Sequence, residues 1–190
     1  SDLEVNQKEV DGSLWFFKYY IKESDDFIEV ATTRPETMFG DVAIAVHPKN
    51  RALKSYIGKK AIIPLTERYV HIIADEYADP SKGSGAVKIT PAHDFNDFLI
   101  AKKHNLNLIN IFDKQANLNS FVPNKFTGMN RYEARKSIIK VLKENGQLTK
   151  IENNKMFVPI GERTGEVIEP LLTKQWFLDS KKLCNQVLKS

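Results

Sequence analysis

Cysteine, histidine and long apolar runs are scarce in this sequence. Its 190 residues include one cysteine, Cys184, and four histidines. A single cysteine excludes an internal disulfide and a cysteine-based zinc site, and it favours a reducing compartment, so we expect a cytoplasmic protein. The His-x-x-x-His pattern is absent, so no metal site is expected. No apolar run is long enough to span a bilayer and the N-terminus does not resemble a signal peptide, so no membrane partner is expected.

The excess of positive charge is small. There are 28 basic and 24 acidic residues, which gives a net charge of +4. This balance is compatible with a polyanionic partner such as nucleic acid but does not require one. The hydrophobic content of 42% is ordinary for a globular protein, and 190 residues are enough for one domain with a buried core.

Short strands dominate the predicted secondary structure. Asp94 is predicted to cap a helix at 94–104, and Asn130 with Glu133 predicts a second helix at 131–145. Because strands and helices do not alternate regularly, we predict a mixed α and β fold with a β-barrel-like core and peripheral helices. The predicted strands are 14–21, 27–31, 42–46, 61–64, 69–74, 86–90 and 106–112, with two more inside 156–168, and short helices are predicted at 51–56 and 180–188.

The segment from Gly83 to Asp97, GSGAVKITPAHDFND, is the most informative part of the chain. A glycine-rich turn leads into a short apolar strand, a proline ends the strand, and a helix follows. Strand-to-helix junctions of this kind bring backbone donors and polar side chains to a ligand. The polar side chains at this junction are Lys88, Thr90, His93, Asp94 and Asp97.

Each of these side chains has two interpretations. Strand alternation places Lys88 and Thr90 on one face, which is either solvent-facing or lines a polar cleft beside Asp94. Asp97 is either a helix-capping residue or an anchor for a cationic group such as an ammonium, and Asp94 has the same two possibilities. His93 is either a general base or a structural hydrogen-bonding group.

A second polar cluster, Thr32-Thr33-Arg34-Pro35-Glu36-Thr37, also follows an apolar strand. Arg34 can hold a phosphate or the edge of a nucleoside, or it can belong to a turn in which threonines bond the backbone. The sequence has no Gly-x-Ser-x-Gly elbow, and Cys184 is far from the histidines, which disfavours a covalent mechanism. Hydrolysis by an oriented water is therefore the enzyme hypothesis.

These two clusters, in this order, resemble the editing domain that is inserted into class Ia aminoacyl-tRNA synthetases. The segments 31–41 and 83–97 resemble the two long motifs of the valyl enzymes, and the segments 110–113, 158–163 and 168–176 are also similar. The isoleucyl enzymes typically have Thr-Pro-Trp-Thr where this chain has Arg-Pro-Glu-Thr, and the leucyl enzymes lack the pattern Ala-His-Asp-Phe-Asn-Asp. The resemblance implies an editing domain at 1–168 and a segment at 169–190 that returns toward a catalytic core.

The resemblance also implies an activity and its partners. An apolar synthetic site discriminates threonine from valine by only about a hundredfold, a known magnitude for the valyl enzymes. The implied role is post-transfer editing by hydrolysis of threonyl-tRNA(Val), with pre-transfer editing as a second possibility. The implied partners are the acceptor end of tRNA(Val), its threonyl-adenosine and the rest of the synthetase. The ATP-site signatures His-Ile-Gly-His and Lys-Met-Ser-Lys-Ser are absent, so aminoacylation is not expected. No cofactor is expected here, because ATP and magnesium belong to the catalytic core.

The resemblance assigns a role to each candidate residue. Asp97 would bind the α-ammonium, and Lys88 and Asp94, with Thr90, would satisfy the threonine hydroxyl. Arg34 would hold the terminal adenosine, while a ribose hydroxyl of the substrate helps to activate the water. The implied catalytic residues are Asp97, Lys88 and Thr33, and the implied substrate-binding residues are Thr32, Arg34, Thr37, Thr90, His93 and Asp94. The alternatives are an isoleucyl or leucyl editing domain, a freestanding editing hydrolase, and a tRNA-binding insertion without hydrolytic activity.

Overall fold

Seven strands form two sheets in the computed structural model, which describes residues 5–172. The strands are β1 (Val5–Tyr20), β2 (Phe27–Thr32), β3 (Ala43–Val46), β4 (Lys60–Ile62), β5 (Tyr69–Ala74), β6 (Ala86–Ile89) and β7 (Leu148–Gly161). One sheet has the order β2–β1–β7, and the other has the order β4–β5–β3–β6. No helix in the described part of the chain is long and apolar enough to cross a membrane.

The first sheet changes character along β1. The N-terminal half of β1 pairs only with β7, from Val5 opposite Gly161 onward, and this two-stranded ribbon is largely exposed. The C-terminal half also pairs with β2, and there Phe17 and Tyr19 are fully buried. The aromatic half of β1 therefore belongs to the core, while its polar half extends from it.

The second sheet contains the most buried strand. β3 is parallel to β5 and antiparallel to β6, and all four of its residues are buried. Ile44 and Val46 pack into the main hydrophobic core, whereas Ala43 and Ala45 pack into a smaller cluster with Ile89. An apolar strand covered on both faces reads as a continuous hydrophobic run, which explains the absence of alternation here.

Two α-helices complete the fold, α1 (Phe95–Lys103) and α2 (Arg131–Glu144). Asp94 caps α1 by accepting hydrogen bonds from the backbone N–H groups of Asn96 and Asp97, so the predicted cap is confirmed. Asn130 caps α2 through the N–H of Tyr132, and Ala134, Ile138 and Leu142 form its buried face. A six-residue 3₁₀ helix at Pro35–Gly40 packs against α2.

The mixed α and β class is confirmed, but the predicted barrel-like core is not. The two sheets are linked by an isolated bridge between Ile21 and Ala61, and residues 5–172 form no closed barrel. A barrel needs a continuous ladder of paired strands, and here each sheet keeps its own edges.

Three other predicted segments differ from the structure. Residues 106–112 form no strand beyond a single bridge at Phe112, although Ile111 is fully buried, so their apolar pattern reflects core packing. The predicted helix at 51–56 is a short 3₁₀ helix at Lys54–Tyr56. Of the two short strands predicted inside 156–168, the first lies within the longer strand β7, and the second is reduced to a bridge at Val167. The helix predicted at 180–188 lies outside the described residues.

Candidate active site

A single cavity of about 260 Å³ is lined by all nine residues that the sequence analysis selected. It lies where β2 ends, beside β6 and the first turn of α1. The two motifs meet because β2 and β6 contact each other, so the segments that follow them reach the same place. The lining residues are Leu14, Ala31, Thr32, Thr33, Arg34, Thr37, Tyr77, Val87, Lys88, Thr90, His93, Asp94 and Asp97.

Lys88 is buried in a hydrogen-bonded network that we call the polar floor (Lys88, Asp41, Thr37 and Thr90). The Lys88 ammonium donates to Thr37 Oγ1 at 2.7 Å, lies 3.3 Å from Asp41 Oδ1, and also donates to Thr90 Oγ1. The Thr90 hydroxyl in turn donates to Asp41 Oδ1 at 2.6 Å. All three ammonium hydrogens thus have protein acceptors, as a charge buried to this extent requires.

Asp41 is the member of the polar floor that the sequence analysis did not select. Its carboxylate is fully buried and accepts a hydrogen bond of 2.6 Å from the Tyr19 hydroxyl. Burial raises the pKa of the Asp41 carboxyl, and the Lys88 charge with the hydrogen bonds from Thr90, Tyr19 and Lys88 opposes this rise. Asp41 is the last residue of the threonine-rich motif and follows Gly40. A carboxylate between the apolar residues at that end of the motif is the sequence signal that could have identified Asp41 as a site residue.

Asp97 is buried without a full set of partners. Its Oδ2 accepts a hydrogen bond of 2.8 Å from the Thr90 N–H, and its Oδ1 has no donor among residues 5–172. Burial raises the pKa of Asp97 to about 6, although the Lys88 charge and the bond from Thr90 favour the ionised form. Since Asp94 caps the helix, the Asp97 carboxylate is not occupied by capping, and its Oδ1 can accept a hydrogen bond from a ligand.

His93 is held as a neutral structural group. Its Nε2 accepts a hydrogen bond of 3.1 Å from the Ile111 N–H, and its ring meets the edge of Phe112 with centroids 4.8 Å apart. Burial, and then the charges of Arg34 and Lys88, lower the pKa of His93 to about 3. Because the lone pair of Nε2 is already used, the structure favours the structural interpretation over the general base.

Arg34 forms one wall of the cavity and is fixed by acceptors from distant parts of the chain. Its Nη1 donates to the His93 carbonyl at 3.0 Å, and its Nη2 pairs with Glu169. Its Nε lies 3.7 Å from Glu36, which is fully buried and held by Arg135 through bonds of 2.7 and 2.6 Å. Sequence analysis missed the His93 carbonyl and Glu169 as partners, because only the folded chain brings them to Arg34.

The three threonines of the first motif have different tasks. Thr32 Oγ1 accepts from the Arg34 N–H at 3.0 Å, and the Thr37 hydroxyl donates to the Arg34 carbonyl at 2.9 Å. The turn interpretation therefore holds for these two hydroxyls, and Thr37 also contacts Lys88. The Thr33 hydroxyl makes no side-chain hydrogen bond within residues 5–172, which leaves it available to water or a ligand.

Tyr77 is a further lining residue that the sequence analysis did not select. Burial, and then the negative charges of Asp97 and Asp94, raise the pKa of Tyr77 to about 12, so its phenol is neutral at physiological pH. Its backbone N–H donates to Asp75, which also binds Lys103 and His104 at the end of α1. No group of three His, Cys, Asp or Glu side chains that suits a metal occurs in the described part of the chain.

Comparisons with known proteins identify the family. The family model described as leucyl-tRNA synthetase, editing domain, matches residues 49–155. The chain belongs to the synthetase editing-domain family. The editing domain is 52% identical over 183 residues to the valine–tRNA ligase of Pelagibacter ubique, which covers 96% of this chain and 21% of that protein. It is 49% identical over 190 residues to the valine–tRNA ligase of Thermotoga maritima, which covers 100% of this chain and 22% of that protein.

The fold of the editing domain is also found in a solved structure. In the ternary complex of Agrobacterium radiobacter K84 agnB2 LeuRS with tRNA and LeuAMS, the similar region has a TM-score of 0.59 and 19% sequence identity. It covers 78% of this chain and 20% of that chain. The editing domain thus spans about a fifth of the length of the relatives that it matches.

Proposed function

We propose that this editing domain hydrolyses the ester bond of threonyl-tRNA(Val), as part of a longer valine–tRNA ligase. The observation that carries the proposal is the cavity itself, in which an incompletely partnered buried carboxylate, Asp97, lies beside the polar floor. A pocket with these properties suits a small polar amino acid that carries a free ammonium group. Support for the valyl type comes from the two valine–tRNA ligases with about half of their aligned residues identical.

Asp97 is the proposed anchor of the α-ammonium. A carboxylate with one unused oxygen in a buried site gains most from a cationic partner, because the surroundings screen the attraction weakly. Its raised pKa, about 6, still leaves Asp97 mainly ionised at neutral pH.

The threonine hydroxyl is proposed to bind Asp94 and the polar floor. Asp94 uses Oδ1 to cap α1, and its Oδ2 has no donor among residues 5–172. Lys88 already uses all three N–H groups, so it contacts the hydroxyl only by exchanging one of them. Valine offers a methyl group in place of this hydroxyl and leaves buried polar groups without a partner, which disfavours it in this site.

The hydrolytic step is proposed to use an oriented water and electrostatic stabilisation. The free Thr33 hydroxyl orients the water, and the Lys88 charge stabilises the oxyanion that develops as water attacks the ester carbonyl. With His93 neutral and engaged, a ribose hydroxyl of the substrate is left to assist the proton transfer. The reaction needs no cofactor in this scheme, and Arg34 holds the terminal adenosine.

Deacylation of threonyl-tRNA(Val) and valyl-tRNA(Val) at high protein concentration tests the proposal. We expect the chain to hydrolyse the threonyl ester and spare the valyl ester, and Asp97→Ala to abolish the activity. Asp11→Ala, which removes an exposed carboxylate of the ribbon, is the matched control. If the threonyl ester is stable and a threonyl-adenosine analogue does not bind, the domain is a tRNA-binding insertion without hydrolytic activity.

A further inference from the structure

We infer that Glu169 is a positioning residue of the cavity, which acts by holding the Arg34 guanidinium. The inference rests on the proposed function. Glu169 lies after β7, beyond the boundary that the sequence analysis placed at residue 168. Its two carboxylate oxygens bind two different arginines, Arg34 through Oε1 and Arg131 through Oε2.

Arg131 fixes Glu169 from the other side. Arg131 is the first residue of α2, and its side chain is only 9% exposed. Its Nη2 donates to the Val167 carbonyl at 3.1 Å and to the Tyr132 hydroxyl at 3.1 Å. Glu169 is therefore held by both a helix start and its own segment, and it transmits that fixed geometry to Arg34.

Glu36 does not hold the Arg34 guanidinium, although it is also close to it. Its two oxygens are taken by the paired bonds from Arg135, and its distance of 3.7 Å to Arg34 Nε exceeds a hydrogen bond. Within residues 5–172, Glu169 is the carboxylate that hydrogen-bonds the guanidinium of Arg34.

This arrangement prepares Arg34 for a ligand by fixing its guanidinium. A long side chain loses conformational freedom when it binds a ligand, and a guanidinium that is already fixed loses less. Because one carboxylate is shared between Arg34 and Arg131, the wall keeps a net positive charge while the guanidinium is held in place. Removal of Glu169 should therefore weaken substrate binding more than it slows hydrolysis.

A double-mutant cycle tests the inference. The rates of threonyl-tRNA(Val) deacylation are measured for wild type, Glu169→Ala, Arg34→Ala and the double variant, with kcat and KM determined separately. We expect Glu169→Ala to lower kcat/KM about tenfold, mainly through KM, because a charge-assisted contact is lost. In the Arg34→Ala background the same change should have no further effect, since residues that act through one another are not additive.

Two additional variants make the cycle interpretable. Glu169→Gln keeps an acceptor oxygen without the charge and should fall between wild type and Glu169→Ala, and it replaces the alanine variant if that one does not fold. Glu166→Ala, an exposed glutamate in the same segment, should match wild type. A Glu169→Ala variant with wild-type kcat/KM, or losses that multiply in the double variant, would overturn the inference. A wild-type chain that neither hydrolyses the threonyl ester nor binds a threonyl-adenosine analogue would instead refute the proposed function, on which the inference rests.

Discussion

At the polar floor Lys88 and Asp41 neutralise each other, whereas on the α1 side Asp97 is buried without a salt-bridge partner among residues 5–172. The two places are close together and comparably buried. The floor is complete before any ligand arrives, so a ligand binds it only by exchanging one of its hydrogen bonds. Asp97 is incomplete, so part of the stability of the fold is given up for a contact that a ligand can complete, and the proposed function assigns that contact to the α-ammonium.

The largest effect is expected from breaking the floor. Asp41→Ala leaves the Lys88 ammonium buried without its counterion and should lower the free energy of unfolding by about 3–5 kcal/mol. Urea denaturation measures this loss, and Asp25→Ala, at an exposed position, should change it little. A loss below about 1 kcal/mol would mean that water reaches Lys88 and that the floor is not a closed network.

Asp97→Asn should separate activity from stability. The amide cannot attract an ammonium ion as a carboxylate does, so kcat/KM for the threonyl ester should fall at least about a hundredfold. The amide oxygen can still accept from the Thr90 N–H, and the cost of burying a charge disappears, so stability at pH 7 should stay equal or rise. A variant that is both inactive and strongly destabilised would contradict the contrast between Asp97 and the floor.

The pH dependence of the wild-type protein should show the effect of Asp97 on both stability and hydrolysis. The pKa of Asp97 is raised from 3.8 to about 6, so the folded state binds this proton more tightly than the unfolded state. Raising the pH from about 4 to 6 should therefore reduce stability, by up to about 3 kcal/mol from this group, while hydrolysis increases. Urea denaturation and deacylation rates across this range, corrected for spontaneous hydrolysis, test both trends, and Asp97→Asn should remove this contribution to stability.

The smallest effect is expected when a methyl group is added next to the polar floor. An added Cβ at Gly40 would lie 3.1 Å from Thr90 Cγ2 and 3.2 Å from the Ile109 carbonyl oxygen, which belongs to the backbone. Gly40→Ala should cost about 1–2 kcal/mol and displace Thr90. Gly12→Ala is the matched control, because the added Cβ would meet the flexible end of Met156 in the exposed ribbon. The midpoints of thermal unfolding are compared for the two variants. Equal midpoints would show that the polar floor accommodates the added Cβ without a loss of stability.

Local signals made part of the fold predictable. Asp94 and Asn130 cap their helices as predicted, because a capping side chain bonds backbone groups only two or three residues away. The N-terminal half of β1 was missed because both of its faces are exposed, so its sequence lacks an alternating apolar pattern.

The candidate site was likewise predictable only where its sequence signal is local. Its nine predicted residues came from two compact motifs, and the folded chain places them around one cavity. Asp41 and Glu169 were missed as site residues because their roles depend on hydrogen bonds with distant residues. Their partners Tyr19, Arg34 and Arg131 are 22 to 135 positions away. Contacts over such distances follow from how the sheets and helices pack, and no local pattern encodes them.

The pairing of β1 with β7 also sets an order of events during synthesis. Val5 is paired with Gly161, so the first described residues of the chain find their partners only after almost all the others have been made. At ribosomal speeds of about 5–20 residues per second, the N-terminal half of β1 is made roughly 8–30 s before the end of β7. Until then its N-terminal half has unpaired backbone groups along both edges, and its many charged and polar side chains protect it from pairing with other nascent chains.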